Sequence, residues 1–489
     1  MRLTRLQEHI PSAIVVVIAA WVMITYSIAQ WHAMQVPSWD LAIFSELAKA
    51  YSRLEAPIVP VKGDGYNLLG DHFHPILVLL GPVWRLFPSP LSLLIVQDLL
   101  LAASAWPLTR LAARLTNPWL GGVLGLVYAL SWGLQGAVAA QFHEIAFAVP
   151  MLALATTAYV ERRWVAVAAW SAPLVLIKED LGLTVLVIGA AVAWTGRRER
   201  RAVRLGAGLA VFGLASFLLT VLALLPALNP EGVWAYGLQT GAEDDAAPTP
   251  LLTRLFTPSV KLETLGVLVA TCGLIGLRSP WILAVGPTLA WRFLGSIGFY
   301  WEWSNWHYNA VLMPIAFGAL LDVVARLRAK GRWQEPAPGR ITPTGLPTSG
   351  WLTVPLPARY ATIIGLGTTI TASLALASHL PFWAMTQKGF ETTSERAATA
   401  QEIINTIPRG STVVTDLGML AYLVPTAEVS WVGTSTSDKD YVVIDKKSTS
   451  WGGNAPTDAA QWAQDQSMEG STYTLILDSD DYQVARRDR

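Results

Sequence analysis

Residues 11–40 read PSAIVVVIAAWVMITYSIAQWHAMQVPSWD. The apolar part, Pro11 to Trp31, is about 20 residues long, which is enough for a helix to cross the hydrocarbon core of a bilayer. Two arginines stand before it, and the pair Trp39-Asp40 follows it. Because basic flanks of a membrane helix remain in the cytoplasm, this stretch predicts a transmembrane helix with a cytoplasmic N-terminus and with Asp40 on the outer side.

The composition of the whole chain supports a polytopic membrane protein. The mean hydropathy is +0.41, and 53% of the 489 residues are hydrophobic whereas 14% are charged. Its basic residues fall in short turns between apolar runs rather than on one broad face, which excludes a nucleic-acid partner. The single cysteine, Cys272, lies in an apolar run and cannot form an intramolecular disulfide.

Eleven apolar runs are predicted to span the membrane, although several are shorter than a full crossing and need tilt or burial by neighbours. They are Pro11–Trp31, Leu91–Ala113, Trp119–Ala140, Ile145–Val160, Trp164–Ile177, Leu181–Trp194, Leu205–Leu228, Leu262–Leu277, Trp281–Ile297, Ala310–Arg326 and Tyr360–Leu380. A further apolar run, His74–Phe87, is only about 14 residues long, so it predicts a helix at the outer interface instead.

This arrangement places the basic connections on one side of the membrane. The residues predicted to be cytoplasmic are Arg2 and Arg5, Arg110 and Arg114, Arg162 and Arg163, Arg197 to Arg204, Arg278, and Arg326 to Arg332. An odd number of spans puts the segment after His379 outside. The expected location is therefore the plasma membrane, with a cytoplasmic N-terminus and an extracytoplasmic C-terminal domain.

The chain divides into a membrane domain, residues 1–380, and a soluble domain, residues 381–489. Within the membrane domain we expect a first outer loop at 32–90, an acidic outer loop at 229–261 and a disordered cytoplasmic linker at 329–358, which is rich in Pro, Gly and Thr. The soluble domain predicts a small α/β fold. Its expected elements are a helix at Ser394–Ile407 and strands at Ser411–Thr415, Glu428–Val432, Tyr441–Asp445 and Tyr473–Leu477.

Asp40 is the leading candidate for a general base, because it follows the first span and begins a short amphipathic outer stretch. The alternative is that Asp40 only caps that helix and Trp39 belongs to an interfacial aromatic belt.

His72 and His74 are the next candidates. Together with Asp71 they suit either a divalent metal or an anion, and the helix expected from Pro75 would present free N–H groups to a phosphate. Capping and interfacial polarity are the alternative.

Two further clusters lie on the outer side. His143-Glu144 lacks the second histidine of a zinc protease motif, since Ile-Ala-Phe follows. In Lys178-Glu179-Asp180 the lysine suits a phosphate, and either acid suits a hydroxyl or a metal. The bland alternative is that these charges complement helix dipoles at a short turn.

The run YWEWSNWHYN at 300–309 mixes aromatic and polar residues, among them Trp303, His307 and Tyr308. Aromatic faces stack on sugar rings and on cations. An interfacial belt explains the tryptophans equally well, but it does not explain why His307 and Tyr308 lead directly into a span.

The order of these motifs resembles a bacterial and archaeal family of predicted membrane proteins, which in turn resembles the GT-C superfamily of lipid-dependent glycosyltransferases, such as aminoarabinose transferases and protein O-mannosyltransferases. The resemblance is carried by WDLAIF at 39–44, DHFHPIL at 71–77, LFPSPL at 86–91, FHE at 142–144, KED at 178–180, and HY at 307–308 followed by Pro314.

The resemblance implies a GT-C-like fold with Asp40 as catalytic base in the first outer loop. Two departures affect what it implies. There is no Asp-x-Asp near Asp40, Glu46 being the closest acid, which leaves use of Mg²⁺ or Mn²⁺ open. Where some relatives have Lys-Pro-Pro, this chain has His74-Pro75, so phosphate binding must come from elsewhere.

The function that these observations favour is transfer of a sugar from a polyprenyl-phosphate donor to a glycan, lipid or protein acceptor of the cell envelope, with inversion at the anomeric carbon. Asp40 would accept the acceptor's proton, and Lys178, His74 or His307 would stabilise the leaving phosphate. The rival is a transporter or lipid flippase without covalent chemistry. A noncatalytic scaffold is a weaker third reading. Transporters commonly show internal repeats and polar segments at mid-membrane, and neither is visible here.

Overall fold

The computed structural model describes residues 5–36, 38–234, 236, 250–332, 356–390, 395–435 and 437–488. The acidic stretch at 243–245 and most of the predicted linker at 329–358 lie outside these residues.

The membrane domain consists of helices joined by short turns. In chain order they are α1 (Arg5–His32), α2 (Ser38–Ser52), α3 (Leu80–Leu86), α4 (Pro90–Leu115), α5 (Pro118–Ala129), α6 (Trp132–Ala139), α7 (Ala148–Val160), α8 (Trp164–Ser171), α9 (Leu181–Thr195), α10 (Arg200–Leu219), α11 (Leu225–Leu228), α12 (Leu251–Phe256), α13 (Val260–Thr271), α14 (Gly286–Leu294), α15 (Leu312–Arg332) and α16 (Leu356–Leu376).

Six helical stretches within the described ranges are long and apolar enough to cross a membrane. They are His9–His32, Pro90–Leu115, Pro118–Ala139, Arg200–Leu228, His307–Ala329 and Pro357–His379. Each coincides with one of the eleven predicted spans. The other five predicted runs form shorter helical segments. The run at 262–277, for example, ends its α-helix at Thr271 and turns through Gly273 and Leu274, both at positive φ.

The run predicted to lie at the outer interface is a short helical segment. A 3-10 turn, Pro75–Leu79, leads into α3, which packs against α2. The opposite side exposes Val78, Leu79, Leu86 and Phe87, each more than half accessible. An apolar face of this kind suits contact with lipid at the edge of the bilayer.

The C-terminal domain is a five-stranded sheet with helices, as the sequence predicts. It contains α17 (Glu395–Thr406), β1 (Thr412–Thr415), α18 (Leu420–Leu423), β2 (Glu428–Trp431), β3 (Tyr441–Asp445), α19 (Ala459–Gln466), β4 (Tyr473–Asp478) and β5 (Tyr482–Arg487). The strand order is β2-β1-β3-β5-β4. The pairs β1–β2 and β1–β3 are parallel, whereas β5 is antiparallel to both β3 and β4. The sequence analysis missed β5.

The sheet domain is docked on α2, the helix that carries Asp40. Lys49 Nζ donates to the carbonyl oxygens of Val424 and Ala427 at 2.8 and 2.7 Å, and Ser38 Oγ accepts from Ala421 N at 2.9 Å. Trp39 packs edge-on against Trp431, with ring centroids 5.0 Å apart. The C-terminal domain therefore lies on the same side of the molecule as Asp40.

A cluster of paired charges lies at the other end of the helices. Asp322 on α15 binds Arg162 at 2.9 Å, Ser279 Oγ at 2.7 Å and Arg326 at 3.2 Å. Glu161 pairs with both Arg114 and Arg163. These arginines belong to the set predicted to be cytoplasmic, and they gather at one end of the bundle, away from Asp40.

Candidate functional site

A cavity of about 150 Å³ lies between the first outer loop and the starts of α9 and α15. Ten of the eleven predicted site residues line it: Asp40, His72, His74, His143, Glu144, Lys178, Glu179, Asp180, His307 and Tyr308.

Each of these residues stands at or beside the start of a helical element. Asp40 is in the first turn of α2, Glu144 begins a 3-10 turn before α7, Asp180 precedes α9, and His307 begins a 3-10 turn before α15. Helices that start at one surface bring their first turns together there. Because a helix N-terminus carries partial positive charge, this placement favours carboxylates and bound anions.

The Asp40 side chain is 37% exposed in the cavity, and Nε2 of His143, which has no hydrogen-bond partner among the described residues, lies 3.4 Å from its Oδ2. In the described part of the chain, Asp40 makes no side-chain bond to the backbone of α2, so it does not act as a hydrogen-bonding cap. The carboxylate is instead directed into the cavity.

His143 is held between buried partners. Its backbone N donates to Gln97 Oε1 and its Nδ1 lies 3.0 Å from the carbonyl oxygen of Gln141. The ring stacks on that of His307, with centroids 3.5 Å apart at 22°. Both nitrogens of His307 lack a hydrogen-bond partner among the described residues. A buried polar atom without a partner costs folding free energy. These two nitrogens are therefore candidates for hydrogen bonds to a bound ligand.

Lys178 Nζ donates to Glu144 Oε1 at 2.8 Å, and both side chains are largely buried. Burial opposes the charge of the lysine, but Glu144, Glu179 and Asp180 outweigh burial and raise the pKa of Lys178 well above its usual value. Lys178 is therefore a fixed cation. An ammonium has three donor hydrogens, and Glu144 uses one of them.

His72 forms a second pair, with Nδ1 2.8 Å from Glu179 Oε1. Burial favours the neutral form of each group, yet His72 and Lys178 lower the pKa of Glu179 to about 2. Burial and Lys178 oppose protonation of the imidazole, but Glu179 raises the pKa of His72 above its ordinary value. The two side chains thus form an ion pair on the cavity wall.

Asp180 and His74 behave differently from these pairs. Burial raises the pKa of Asp180 to about 6 despite Lys178, and its Oδ1 has no hydrogen-bond partner in the described ranges. Burial lowers the pKa of His74 to about 4, so this ring is neutral at pH 7. His74 therefore supplies no charge to a phosphate.

Sequence reasoning missed three groups that line the cavity. Lys62 lies 3.3 Å from Asp71, whose carboxylate also accepts from Tyr66 OH at 2.9 Å. Tyr236 stacks on His72, with centroids 4.2 Å apart. Lys62 and Tyr236 lie in loops without a recognisable pattern.

The third missed group, Arg292, could have been identified from the sequence, because an ionisable residue inside a predicted span suggests function. Arg292 donates to Tyr300 O, Asn309 Oδ1 and Glu302 O, at 2.6, 2.8 and 3.3 Å. It is 2% exposed. Arg292 therefore shapes the aromatic segment at 300–309.

Trp303 corrects the prediction for that segment, because its side chain does not line the cavity. It packs against the apolar core, and its carbonyl oxygen accepts from Asn309 Nδ2. The aromatic side chains that face the cavity are Trp39, Phe44, Tyr236, Trp291, Tyr300 and Tyr308. The direction of a side chain in an irregular loop depends on tertiary contacts, which the local sequence does not reveal.

Glu46, the acidic neighbour of Asp40 in the sequence, is also outside the cavity. It is buried on another side of α2, where it accepts from Val61 N at 3.1 Å. Burial raises the pKa of Glu46 to about 8, so the side chain is mainly neutral at pH 7. Asp40 and Glu46 therefore do not form a carboxylate pair.

Three of the five carboxylates that line the cavity are paired with basic side chains. The carboxylates of Glu144, Glu179 and Asp71 are already engaged by Lys178, His72 and Lys62. Among the described residues, no three His, Cys, Asp or Glu side chains are arranged to hold a metal ion. We assign no catalytic step to a metal.

Comparison with known proteins identifies the family. The family model described as "Predicted membrane protein (DUF2079)" matches residues 30–484. The chain belongs to this family. The resemblance deduced from the motifs is thereby confirmed at the level of the family, and no curated protein matches the sequence.

Two solved structures are similar to the DUF2079 chain at low identity. One is ArnT from Cupriavidus metallidurans bound to undecaprenyl phosphate, at 13% identity, covering 97% of each chain with a TM-score of 0.46. The other is the Archaeoglobus fulgidus oligosaccharyltransferase tethered with an acceptor peptide, at 12% identity, covering 95% of this chain and 72% of that one with a TM-score of 0.35. Both are GT-C enzymes. TM-scores below 0.5 do not carry an assignment of activity, which has to come from the site itself.

Proposed function

We propose that the protein transfers a sugar from a polyprenyl-phosphate donor to an acceptor hydroxyl at the outer face of the plasma membrane. The observation that carries the proposal is one cavity in which a partly exposed carboxylate, Asp40, lies with a buried cation, Lys178. A base and an anion-stabilising group within one small cavity suit displacement of a phosphate by a hydroxyl.

The position of the cavity supports a lipid-linked donor. Nucleotide sugars are cytoplasmic, whereas the cavity lies at the end of the bundle opposite the arginines that are predicted to face the cytoplasm. The exposed apolar side of α3 and its preceding turn lies beside the loop that carries His72 and His74. An isoprenoid chain in the bilayer would reach the cavity along such a face.

The reaction needs one proton acceptor and one stabilised leaving group. The acceptor oxygen bonds to the anomeric carbon as its proton passes to Asp40. The bond between that carbon and the phosphate oxygen breaks, and its electron pair leaves with polyprenyl phosphate. Attack on the face opposite the phosphate inverts the configuration.

The described contacts suggest which groups receive the phosphate. Lys178 retains donor hydrogens beyond the one that Glu144 uses, and His72 lies on the same wall with its charge supported by Glu179. His307 offers a ring nitrogen without a partner. Tyr300, Tyr308 and Trp291 also line the cavity, and aromatic side chains commonly stack on sugar rings.

The test uses the purified full-length protein in liposomes with labelled polyprenyl-phosphate pentoses and hexoses, and a cell-envelope extract as acceptor. Asp40→Asn should lower the release of polyprenyl phosphate by about 100-fold or more, because it removes the base. The matched control is Glu55→Gln, which changes an exposed acid of the same outer loop and should leave release unchanged.

Full turnover by Asp40→Asn would refute the base assignment. Movement of lipid or substrate across sealed vesicles without any covalent product would instead support the transporter or flippase alternative.

A further inference from the structure

A second cavity, of about 360 Å³, lies between the membrane domain and the sheet domain, beside the cavity that contains Asp40. Four residues line both cavities, so the two share one wall: Trp39, Lys62, Asp71 and Tyr236. Trp39 precedes Asp40 in the chain. A group that extends from the second cavity past this wall therefore enters the cavity of the proposed base.

The sheet domain supplies part of the second cavity. Trp431, the last residue of β2, and Thr434 both line it. Thr434 Oγ1 donates to Val61 O at 2.8 Å, which joins this loop to the first outer loop. Gly433 leaves room for the Trp431 ring, because a Cβ atom there would overlap ring carbon Cζ3. The indole packs against that of Trp39 at an interplanar angle of 71°, so two aromatic rings from different domains form one corner of the cavity.

The lining of the second cavity differs in kind from that of the first. Among the described residues, every side chain that lines the second cavity is aromatic, charged or otherwise polar. The first cavity also has aliphatic residues in its lining, such as Ile43 and Val311. A lipid chain would therefore bury little aliphatic surface in the second cavity. A sugar has ring faces that stack on aromatic side chains and hydroxyls that bond to carboxylates and amides, so this lining matches a carbohydrate.

Polar groups of the second cavity are held in place by their own hydrogen bonds. Tyr66 OH donates to Asp71 Oδ1 at 2.9 Å. Asn229 Nδ2 donates to Gly70 O at 3.0 Å, and Asn229 Oδ1 accepts from Glu231 N at 2.8 Å. The backbone that carries the exposed Glu231 is thus anchored to the first outer loop. Such fixed groups lose little conformational freedom when a ligand binds.

We propose that the second cavity binds a sugar of the acceptor, with a ring against Trp431 and Trp39 and hydroxyls bonded to Glu231, and that the sheet domain thereby selects the acceptor. This inference rests on the proposed function, because a hydroxyl of the bound sugar must reach Asp40. The donor's phosphate and sugar occupy the first cavity, so the two substrates meet at the shared wall.

Binding can be measured without any donor. Thr434→Cys places a thiol in the second cavity, whereas the natural Cys272 is buried. A small water-soluble maleimide should therefore label only residue 434 in the full-length protein in nanodiscs. The sugar probes are disaccharides of glucose, galactose and N-acetylglucosamine, and oligosaccharides released from the cell envelope. We expect at least one of them to slow labelling several-fold, whereas trialanine and a short-chain phosphatidylglycerol should not.

The matched control is Gln461→Cys, at an exposed position of α19 that does not line the cavity. Its labelling rate should not respond to the sugars. Unchanged labelling of Thr434→Cys with every sugar probe would overturn the proposal. Protection by trialanine or by the lipid but by no sugar would overturn it as well, and so would equal protection of both variants, because the effect would then not be local.

Kinetics tests the residues that are proposed to contact the sugar. Trp431→Ala should raise the KM for the acceptor about 10-fold, as expected for the loss of one aromatic contact, while the KM for the donor changes little. Trp431→Tyr keeps a ring and should restore most of the affinity. Glu231→Gln alters an exposed side chain, so it tests the site even if Trp431→Ala does not fold, and it should raise the same KM.

The control for the kinetic arm is Trp383→Ala, at an exposed tryptophan that lines neither cavity. An acceptor KM that is unchanged in both Trp431→Ala and Glu231→Gln would overturn the proposal. An equal rise in the KM for donor and acceptor would also overturn it, because the substitutions would then disturb the whole site.

The two arms separate this inference from the proposed function. If the wild type turns over no donor but a sugar protects Thr434→Cys, the proposed function fails while the sugar site stands. If Asp40→Asn abolishes turnover but no sugar protects Thr434→Cys, only the acceptor site fails.

Discussion

Two clusters of ionisable residues lie along helix α15, and they differ in how many partners their carboxylates have. At the middle of α15, the carboxylate of Asp322 is 1% exposed and has three partners, namely Arg162, Ser279 and Arg326. At the N-terminal end of α15, the cavity contains Asp40, whose side chain is 37% exposed beside the ring of His143, and His307, whose ring nitrogens have no partner in the described ranges. Both carboxylate oxygens of Asp322 are engaged, whereas the cavity contains ring nitrogens of His307 and an oxygen of Asp180 that have no partner among the described residues.

This contrast separates structural from functional charge in one protein. A buried carboxylate with every oxygen engaged joins helices, and removing it leaves its partners unpaired. A carboxylate that faces a cavity contributes little to folding, so its presence there calls for another explanation. The number of partners of each carboxylate, rather than its burial alone, therefore distinguishes Asp322 from Asp40.

The largest effect is expected from Asp322→Ala. Loss of three contacts and of the negative charge between two arginines should destabilise the protein by about 3 kcal/mol. Asp40→Ala should change the thermal unfolding midpoint little, because its carboxylate is partly solvated. Unfolding of both variants followed by intrinsic fluorescence tests this difference. Equal destabilisation by the two substitutions would remove the distinction between the clusters.

Lys178→Gln should affect both function and folding, since Lys178 is a cation of the cavity and the partner of buried Glu144. We expect release of polyprenyl phosphate to fall about 100-fold, together with a lower unfolding midpoint. The double variant with Glu144→Gln removes the unpaired acid, so it should recover the midpoint but not the turnover. Recovery of turnover in the double variant would show that Lys178 is only structural.

A smaller effect is expected at the contact between the domains. Lys49→Met removes two charge-assisted hydrogen bonds to the sheet domain, at a cost of about 2 kcal/mol. Hydrogen exchange in α18 should then become faster while exchange in α15 does not change. Lys388→Met, at an exposed lysine, is the control. Unchanged protection of α18 would mean that Lys49 does not hold the domains together.

The smallest effect concerns Glu46, the buried acid of α2. Its pKa is about 8 in the folded protein, above the ordinary value of 4.5, because burial favours the neutral acid. The stability that this neutral carboxyl contributes is therefore fully present below its unfolded pKa and is lost as pH rises toward 8. Against Glu46→Gln, the wild type should lose a few degrees of midpoint between pH 5 and 8. Parallel midpoint curves would contradict the burial argument.

Much of this arrangement could be predicted from the sequence because it depends on local pattern. Apolar length located the six long helices, and the polar residues beside the predicted apolar runs, long and short, include Asp40, His143, Lys178 and His307. Runs of β-branched and aromatic residues located β1 to β4. These patterns are local, so they can be recognised in a single sequence.

The remainder depends on tertiary contacts that no short pattern encodes. Lys62 and Tyr236 reach the cavity through loops, and Trp303 turns to the core because Arg292 and Asn309 fix the backbone around it. The strand β5 reads YQVARR, which is too polar to predict a strand. Its first four residues are nevertheless buried, because it pairs on both sides.

The position of β5 constrains the biogenesis of the protein. It lies between β3 and β4 although it follows both in the sequence, so β3 and β4 lack this shared neighbour until residues 482–487 have been synthesised. Until then the chain exposes two unpaired strand edges, which are a hazard for aggregation. Nascent chains halted before Tyr482 should therefore be more prone to aggregation and proteolysis than the full-length protein.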